Sequence, residues 1–347
     1  MNERRRRWLL QSSLGTAGAL LGMSGCSHAL TPKGSPPMDT RNWQTHCFGR
    51  HLLSLPLDAQ VTDTYKLNGD AIKLLPSIRP DQVAFLMEQR GQELKRLPNV
   101  RKGKTIGDLY LSREFLSGGA GVVYGLQDRY SSDDTRQDAY LVTKMPPRVF
   151  KISTELFMDK HAQGKAWAEK VQQALIGRDP GAIPQQAGFC IRGGMLTGSK
   201  PVAEEAYRLW VTFASLPRVG LTVESWQVGK PSSDTLFSRM PVGLSALMNL
   251  ASGTRVLRER EVLLGQQTAQ EMLLRVSAEG KRAYHFQLET VGVASSVTET
   301  SLTFEMSTTN ILDEHGHVGD AAFKNDEEAV AFWDAILQSF KVRPGAV

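Results

Sequence analysis

The sequence is poor in cysteine and lacks the common motifs of catalysis. Three cysteines occur in 347 residues, and none of them forms a Cys-x-x-Cys pair. A Gly-x-Ser-x-Gly nucleophile elbow is missing, because Ser245 has Leu247 where the second glycine belongs. His-Glu-x-x-His and the phosphate-binding Gly-x4-Gly-Lys-Ser/Thr motif are missing as well. We therefore predict a protein that is not an enzyme and assign no catalytic residue, no cofactor and no metal ligand.

The sequence also lacks a clear membrane-spanning segment. The apolar stretch Trp8–Met23 is short and contains glycines, whereas a spanning helix needs about 20 predominantly apolar residues. It follows Arg4–Arg7, and this order of basic, apolar and small residues is typical of a secretory signal peptide. We interpret residues 1–25 as that signal peptide. Arg6 and Arg7 also fit a twin-arginine signal, so Sec and Tat export both stay open.

The predicted signal peptide ends at a cysteine. Residues 23–26, Met-Ser-Gly-Cys, resemble a bacterial lipobox, with Met23 where leucine is usual. We expect cleavage before Cys26 and a lipid on its thiol; ordinary secretion with a free Cys26 is the alternative. Because Ser27 rather than aspartate follows, the anchor is expected in the inner leaflet of the outer membrane, facing the periplasm. Residues 26–42 hold Pro, Gly and Ser without an apolar period, which predicts a flexible tether.

Basic and acidic residues nearly balance once the signal peptide is set aside. The whole chain has 41 basic and 36 acidic residues, a net charge of +5. The signal peptide holds four of the arginines and one glutamate, so the net charge of the remainder falls to +2. This balance gives no support to nucleic-acid binding. The hydrophobic fraction of 41% with 22% charged residues predicts a packed core.

Two cysteines remain if Cys26 receives a lipid. The periplasm is oxidising, so an exported chain with one remaining pair often forms a disulfide. A bond between Cys47 and Cys190 would close a loop of more than a hundred residues, which stabilises by about 4 to 5 kcal/mol in the chain-entropy model. The alternative is two buried, unpaired thiols.

Short strand-like runs alternate with amphipathic helices along the chain. A hairpin is expected around the turn residues Asn68-Gly69-Asp70, because alternating apolar residues flank them. Helical periodicity predicts helices over 79–97 and 154–176. A closing helix is expected after an N-cap at Asn325 or Asp326.

Glycine and proline concentrate at residues 177–188, which marks a domain boundary. The sequence thus predicts an α+β fold of two domains, residues 43–182 and 183–347. Each domain is expected to be a mostly antiparallel sheet packed with helices.

A few polar groups remain as candidate sites. Asp313, His315 and His317 have side chains that bind divalent metals, but their place in a polar connection predicts a solvated loop. His161 has no partner at metal-ligand spacing and is expected at the surface or half-buried. The glycines of residues 118–125 resemble a dinucleotide loop only loosely, so a turn or bulge is predicted there.

Two charged groups could contact a partner protein. They are Glu204-Glu205 and the alternating run at residues 255–261, Arg-Val-Leu-Arg-Glu-Arg-Glu. A solvated strand face is the commoner cause of such patterns. The sequence by itself assigns no residue to partner binding.

Three stretches resemble one protein family. The first is the opening strand, with Cys47, Gly49, Arg50, Leu55 and Pro56. The second is the start of the predicted second domain, with Gly188, Phe189, Cys190 and Gly193 or Gly194. The third is the closing section, with Gly265, Glu271, Phe286, Glu289, Trp333, Asp334, Arg343 and Pro344. The sequence is identified as a member of the two-domain immunity proteins that neutralise phospholipase effectors of the type VI secretion system.

The resemblance implies a function without turnover. A lipid-tethered binder would hold a cognate lipase effector at the periplasmic membrane surface, where such a toxin acts. The resemblance also implies a cleft between two domains that both contact the effector, with a Cys47–Cys190 bond fixing its geometry. The alternative is a general periplasmic lipoprotein that binds an envelope component or an assembly partner.

Overall fold

Alternating apolar residues form one long antiparallel sheet at the centre of the protein. The structure is a computed structural model that describes residues 38–101, 103–127, 134–239, 253–278, 281–308 and 322–347. The predicted signal peptide, Cys26, Ser245 and the group around His315 lie outside the described residues.

The strands of the first half of the chain are β1 Trp43–Phe48, β2 His51–Pro56, β3 Ala59–Leu67, β4 Asp70–Leu74, β5 Pro98–Arg101, β6 Lys104–Asp108, β7 Tyr110–Phe115, β8 Gly121–Leu126, β9 Asp134–Lys144, β10 Pro147–Phe157 and β11 Leu175–Gly177. Those of the second half are β12 Gly188–Ile191, β13 Gly194–Thr197, β14 Glu205–Phe213, β15 Val219–Trp226, β16 Arg255–Leu264, β17 Gln267–Ala278, β18 Lys281–Thr290, β19 Ser301–Thr308 and β20 Lys341–Val342. Strands predominate, as expected of a mostly antiparallel α+β fold.

Helices pack on this sheet, among them α1 Val83–Arg96, α2 His161–Ala174 and α3 Asp326–Ser339. A 3-10 turn that starts at Pro80 precedes α1, in agreement with the predicted helix over 79–97. The predicted helix over 154–176 is too long at its start, because residues 154–157 continue β10 in register with β9. Asn325 caps α3, and its side chain accepts a hydrogen bond from the Glu328 amide at 2.8 Å.

The central sheet has twelve strands in the order β16-β17-β18-β19-β15-β14-β3-β4-β10-β9-β8-β7. The predicted hairpin is confirmed, because β3 and β4 pair antiparallel across Asn68-Gly69. Both turn residues have positive φ, which asparagine and glycine tolerate better than other residues. The sheet crosses the boundary predicted at 182/183, since β3 pairs with β14 over nine residues. The two halves thus share a sheet, and their division into domains stays a prediction.

Helices pack on the two halves of the sheet in different ways. In the second half, Phe286 of β18 meets Trp333 of α3 edge to face at 5.9 Å between ring centroids. In the first half, Met87 of α1 lies over Gly121, which leaves no room there for a Cβ atom. Gly164 of α2 approaches the opposite face in the same way, at Gln137. Among the described residues, no helix is both long and apolar enough to span a membrane.

Candidate functional site

The first family motif and the second meet at a disulfide. Cys47 of β1 and Cys190 of β12 are bonded, with their Cα atoms 5.9 Å apart and both side chains buried. This is the pairing expected from the sequence. Beside it, Gly49 and Cys190 exchange backbone hydrogen bonds of 2.9 and 2.7 Å. A Cβ atom at Gly49 would lie 2.6 Å from the Tyr207 ring, and its φ is +58°, so the motif requires glycine here.

Arg50, the next motif residue, lies in a buried ion pair. Its guanidinium donates to both carboxylate oxygens of Glu205, at 2.7 and 2.9 Å, and to the carbonyl oxygens of Gly198 and Ala346. Arg50 is 2% exposed and Glu205 is 4% exposed. Both sequence interpretations of Glu205, a partner contact or a solvated strand face, are therefore wrong. A neighbouring acidic residue, Glu204, is exposed as expected.

The last motif arginine holds the C-terminal residues against the start of the second half. Arg343 is buried and donates to the carbonyl oxygens of Pro184, Gln186 and Gly188 at 2.7, 2.9 and 2.8 Å. The amide of Arg343 in turn donates to the carbonyl of Arg50. These bonds join the chain end, β2 and the connection at the predicted domain boundary.

A second buried cluster surrounds Glu271 of β17. Its carboxylate accepts hydrogen bonds from Trp333 Nε1 at 2.8 Å, from Arg258 at 2.9 Å and from Arg260 at 2.7 Å. Arg258 also pairs with Asp334 of α3. Arg258 therefore contacts its own fold, which corrects its assignment to a partner or to solvent. Arg255, Glu259, Arg260 and Glu261 are exposed, as expected of a solvated strand face, although Arg260 also pairs with Glu271. The motif residues Arg50, Glu271 and Arg343 thus stabilise the fold through internal hydrogen bonds.

The remaining weak candidates are structural as well. His161 is half-buried as expected, with Nε2 2.9 Å from Thr135 Oγ1 and its ring stacked on Tyr124. Gly118 and Gly119 have positive φ and form the predicted turn ahead of β8. Within the described ranges, no three His, Cys, Asp or Glu residues lie close enough to hold a metal ion.

An open groove lies where the two halves of the chain meet, and we call it the β3–β4 groove. It forms because β3 pairs with β14 over its whole length but with β4 only at Tyr65–Leu67. From Ile72 to Leu74, β4 pairs with β10. The sheet therefore opens between β3 and β4. The groove encloses about 350 Å³ and is lined by Val61, Thr62, Asp63, Thr64, Tyr65, Ile72, Lys73, Leu74, Phe150, Ile191 and Arg192.

The polar side chains of this groove are arranged for binding. Arg192 Nε donates to Asp63 Oδ1 at 2.7 Å, and its Nη2 donates to the Val61 carbonyl at 2.8 Å. The Tyr65 hydroxyl donates to Asp63 Oδ2 at 3.0 Å. Burial raises the pKa of Tyr65 well above its usual value, so the hydroxyl remains a donor. Lys73 is exposed on the opposite wall. Neither a nucleophile paired with a base nor a set of metal ligands is among these lining residues.

The sequence predicts a cleft between the halves but none of the residues that line it. Alternation identifies β3 and β4 as strands, and the Asn-Gly turn pairs them. It does not show that their pairing stops after three residues, because that depends on β10 and β14, which are distant in sequence.

Comparison with known proteins identifies the family. Residues 182–345 match the model of the Tle cognate immunity protein 4 C-terminal domain. The start of this match lies one residue from the predicted second domain. Residues 182–345 therefore carry the C-terminal domain of this family of type VI secretion system immunity proteins. The resemblance inferred from its motifs is thereby confirmed.

Solved structures of immunity proteins match the chain over most of its length. A chain in the crystal structure of the Tle4–Tli4 complex is 28% identical, with a TM-score of 0.81, over 88% of this chain and 99% of that one. The apo immunity protein TplEi of the type VI secretion system of Pseudomonas aeruginosa is 26% identical, with a TM-score of 0.79 and the same coverage. TplEi in complex with an "L" peptide gives 26% identity and a TM-score of 0.76, over 88% of this chain and 100% of that one. No curated protein sequence matches the chain.

Proposed function

We propose that this protein binds and neutralises a cognate phospholipase effector of the type VI secretion system, as a stoichiometric inhibitor without turnover. The observation that carries the proposal is the likeness to the Tle4–Tli4 structure, which spans nearly all of that chain at 28% identity. The family match of residues 182–345 supports the same conclusion independently.

The β3–β4 groove is the part of the surface that we assign to the effector. Both halves of the chain line it, as the resemblance to two-domain immunity proteins implies. The nearby Cys47–Cys190 bond and the Arg50–Glu205 pair fix the strands behind it, and a preformed surface loses less entropy on binding. A related immunity protein, TplEi, has been solved with a bound peptide. An open groove of this kind suits a segment of a partner protein.

The absence of turnover is part of the proposal. The arginine and carboxylate groups of the family motifs are held in internal contacts, and Asp63 in the groove is neutralised by Arg192. Purified protein is therefore expected to hydrolyse neither phospholipid nor peptidoglycan. Activity that stays with the protein through gel filtration would contradict this.

We further propose that the protein acts in the periplasm, anchored by a lipid on Cys26 to the inner leaflet of the outer membrane. The support is the signal-peptide pattern, the lipobox-like sequence and Ser27. Cys26→Ser should abolish incorporation of labelled palmitate and release the protein from the membrane fraction. Equal labelling of the variant and the wild type would reject the anchor.

We expect a phospholipase gene beside that of this chain, and the test of function is protection from the lipase that it encodes. Cells in which the lipase is directed to the periplasm should survive when they also export this protein and should lyse when they do not. The matched control is the same protein without residues 1–25, which should remain in the cytoplasm and should not protect. Lysis of cells that export the protein would reject the function.

A further inference from the structure

Positive charge exceeds negative charge in the β3–β4 groove. Lys73 and Arg192 belong to its lining, and Asp63 is the acidic residue of that lining. Asp63 is already shared between Arg192 and the Tyr65 hydroxyl. The carboxylate of Asp63 therefore balances the charge of Arg192, and the charge of Lys73 is not balanced within the lining.

Two further arginines lie directly behind this lining. Arg148 packs against Gly193, where an added Cβ atom would be 3.2 Å from its Cδ. The Nε atom of Arg148 is buried and has no hydrogen-bond partner among the described residues. Arg178 donates to the carbonyl oxygens of Ala182, Ile191 and Gly194, so the acceptors in these bonds are neutral. The charge of these arginines adds to that of the groove.

Lys73 has a position that the fold alone does not explain. It lies directly opposite Lys151 on the adjacent antiparallel strand, and like charges in that position destabilise a sheet. Lys151 is compensated by Asp138 at 3.4 Å, a carboxylate that also pairs with Arg90 and Arg136. Lys73 has no partner among the described residues. Residues that cost stability without serving the fold are typical of binding sites.

The geometry of the groove favours a partner that contacts its side chains over a partner that adds a strand to the edge of β3. The edge of β3 is open beyond Tyr65, but Arg192 lies across it and occupies the Val61 carbonyl. A partner strand could not pair with Val61 without displacing that arginine. Arg192 is 54% exposed at its side chain, and its Nη1 atom donates to none of the described residues, so it can bind a carboxylate from outside.

We propose that the β3–β4 groove binds an acidic segment of the effector, whose carboxylates pair with Lys73 and Arg192. This inference rests on the proposed function and adds to it the chemistry of the partner. The opposite sign of charge on the partner should also accelerate association at low salt.

The decisive variant is Lys73→Glu, tested in the mature protein by calorimetric titration with the lipase encoded by the adjacent gene. We expect its Kd to rise at least tenfold, because a groove cation is replaced by an anion that repels the carboxylates of the effector. The thermal midpoint should stay equal or rise, since the new glutamate faces Lys151. The matched control is Lys170→Glu, which makes the same charge change on an exposed face of α2 and should leave the Kd within twofold.

The outcomes separate this inference from the proposed function. If the wild-type protein does not bind the lipase, the proposed function fails and the inference fails with it. If the wild type binds but Lys73→Glu binds equally well, the inference alone is overturned. It is also overturned if Lys73→Glu loses binding to phosphatidylglycerol vesicles while its affinity for the lipase is unchanged. That result would assign the positive groove to the membrane surface.

Discussion

Arg50 and Glu205, 155 positions apart in the sequence, form a two-pronged ion pair in the interior of the protein. Arg50 follows the Gly49 turn next to the disulfide, and Glu205 opens β14, the strand on which β3 and the groove depend. The pair thus connects the opening hairpin to the middle of the long sheet. Its separation in sequence explains why it was not predicted.

Removal of one member of this pair should destabilise the protein strongly. Glu205→Gln leaves the buried guanidinium without its countercharge, which costs about 3 to 5 kcal/mol in comparable pairs. The measurement is the free energy of unfolding from urea titration. The control is Glu93→Gln, which removes an exposed partner of Arg90 and should cost less than about 1 kcal/mol. Equal stability of the two variants would contradict the role given to Arg50 and Glu205.

Loss of the disulfide should lower stability by restoring freedom to the unfolded chain. Cys47 and Cys190 are separated by 143 positions, and the chain-entropy model gives about 4 to 5 kcal/mol for a loop of that size. We expect the double variant Cys47→Ala/Cys190→Ala to unfold at lower urea than the oxidised wild type. Addition of reductant should bring the wild type close to the variant and leave the variant unchanged. A wild type that responds to reductant no more than the variant does would show that the bond does not form.

His51 should make stability depend on pH. The neutral ring accepts a hydrogen bond from the Tyr207 hydroxyl at Nδ1, 3.1 Å away, and lies 3.3 Å from the Thr298 carbonyl at Nε2. Burial lowers its pKa from 6.5 to about 4. Between these values the unfolded chain binds a proton that the folded protein excludes. Stability is therefore complete above pH 6.5 and falls by about 3 kcal/mol as the pH drops to 4.

The pH effect is measured as the free energy of unfolding at pH 7, 5.5 and 4. His51→Gln should show a shallower decline, although its stability at pH 7 is lower because the Phe340 stacking is lost. An identical slope in the two proteins would assign the pH dependence to other groups. His46 and His161, whose pKa values are also lowered by burial, are retained in both.

Trp333 should stabilise the protein through the hydrogen bond of its indole nitrogen as well as through the packing of its ring. Trp333→Phe keeps an aromatic ring against Phe286 but removes the donor to Glu271, whose carboxylate is fully buried. We expect a loss of about 1 to 3 kcal/mol in the free energy of unfolding, in addition to that of the smaller ring. Phe332→Leu, which changes the adjacent ring without touching a polar group, is the control. If Trp333→Phe cost the same in the wild type and in a Glu271→Ala background, the coupling energy would be zero and the hydrogen bond would not be the cause.

Local patterns predicted local structure well in this protein. The Asn68-Gly69 hairpin, the Asn325 cap and the glycine turn at 118–119 all follow from residues near one another in sequence. The start of α2 was placed too early because residues 154–157 fit both a helix and a strand. The pairing of β10 with β9 decides between the two. A short sequence window contains no information about that pairing.

Long-range contacts could not be predicted in the same way. Charged residues on alternating strands indicate a solvated face unless their partners are known, and the partners of Glu205 and Arg260 lie on other elements. The motif residues identified the family, and Arg50, Glu271 and Arg343 among them lie in internal contacts. The groove depends on where two strand pairings end, and its residues follow no sequence motif.

The most direct test of stoichiometric inhibition is titration of this protein into the lipase that we expect the adjacent gene to encode, with lipase activity and complex mass measured together. A stoichiometric inhibitor forms a one-to-one complex on gel filtration and abolishes phospholipid hydrolysis at equimolar protein. A lipase that stays fully active and elutes separately at saturating concentrations of the oxidised, mature protein would contradict it.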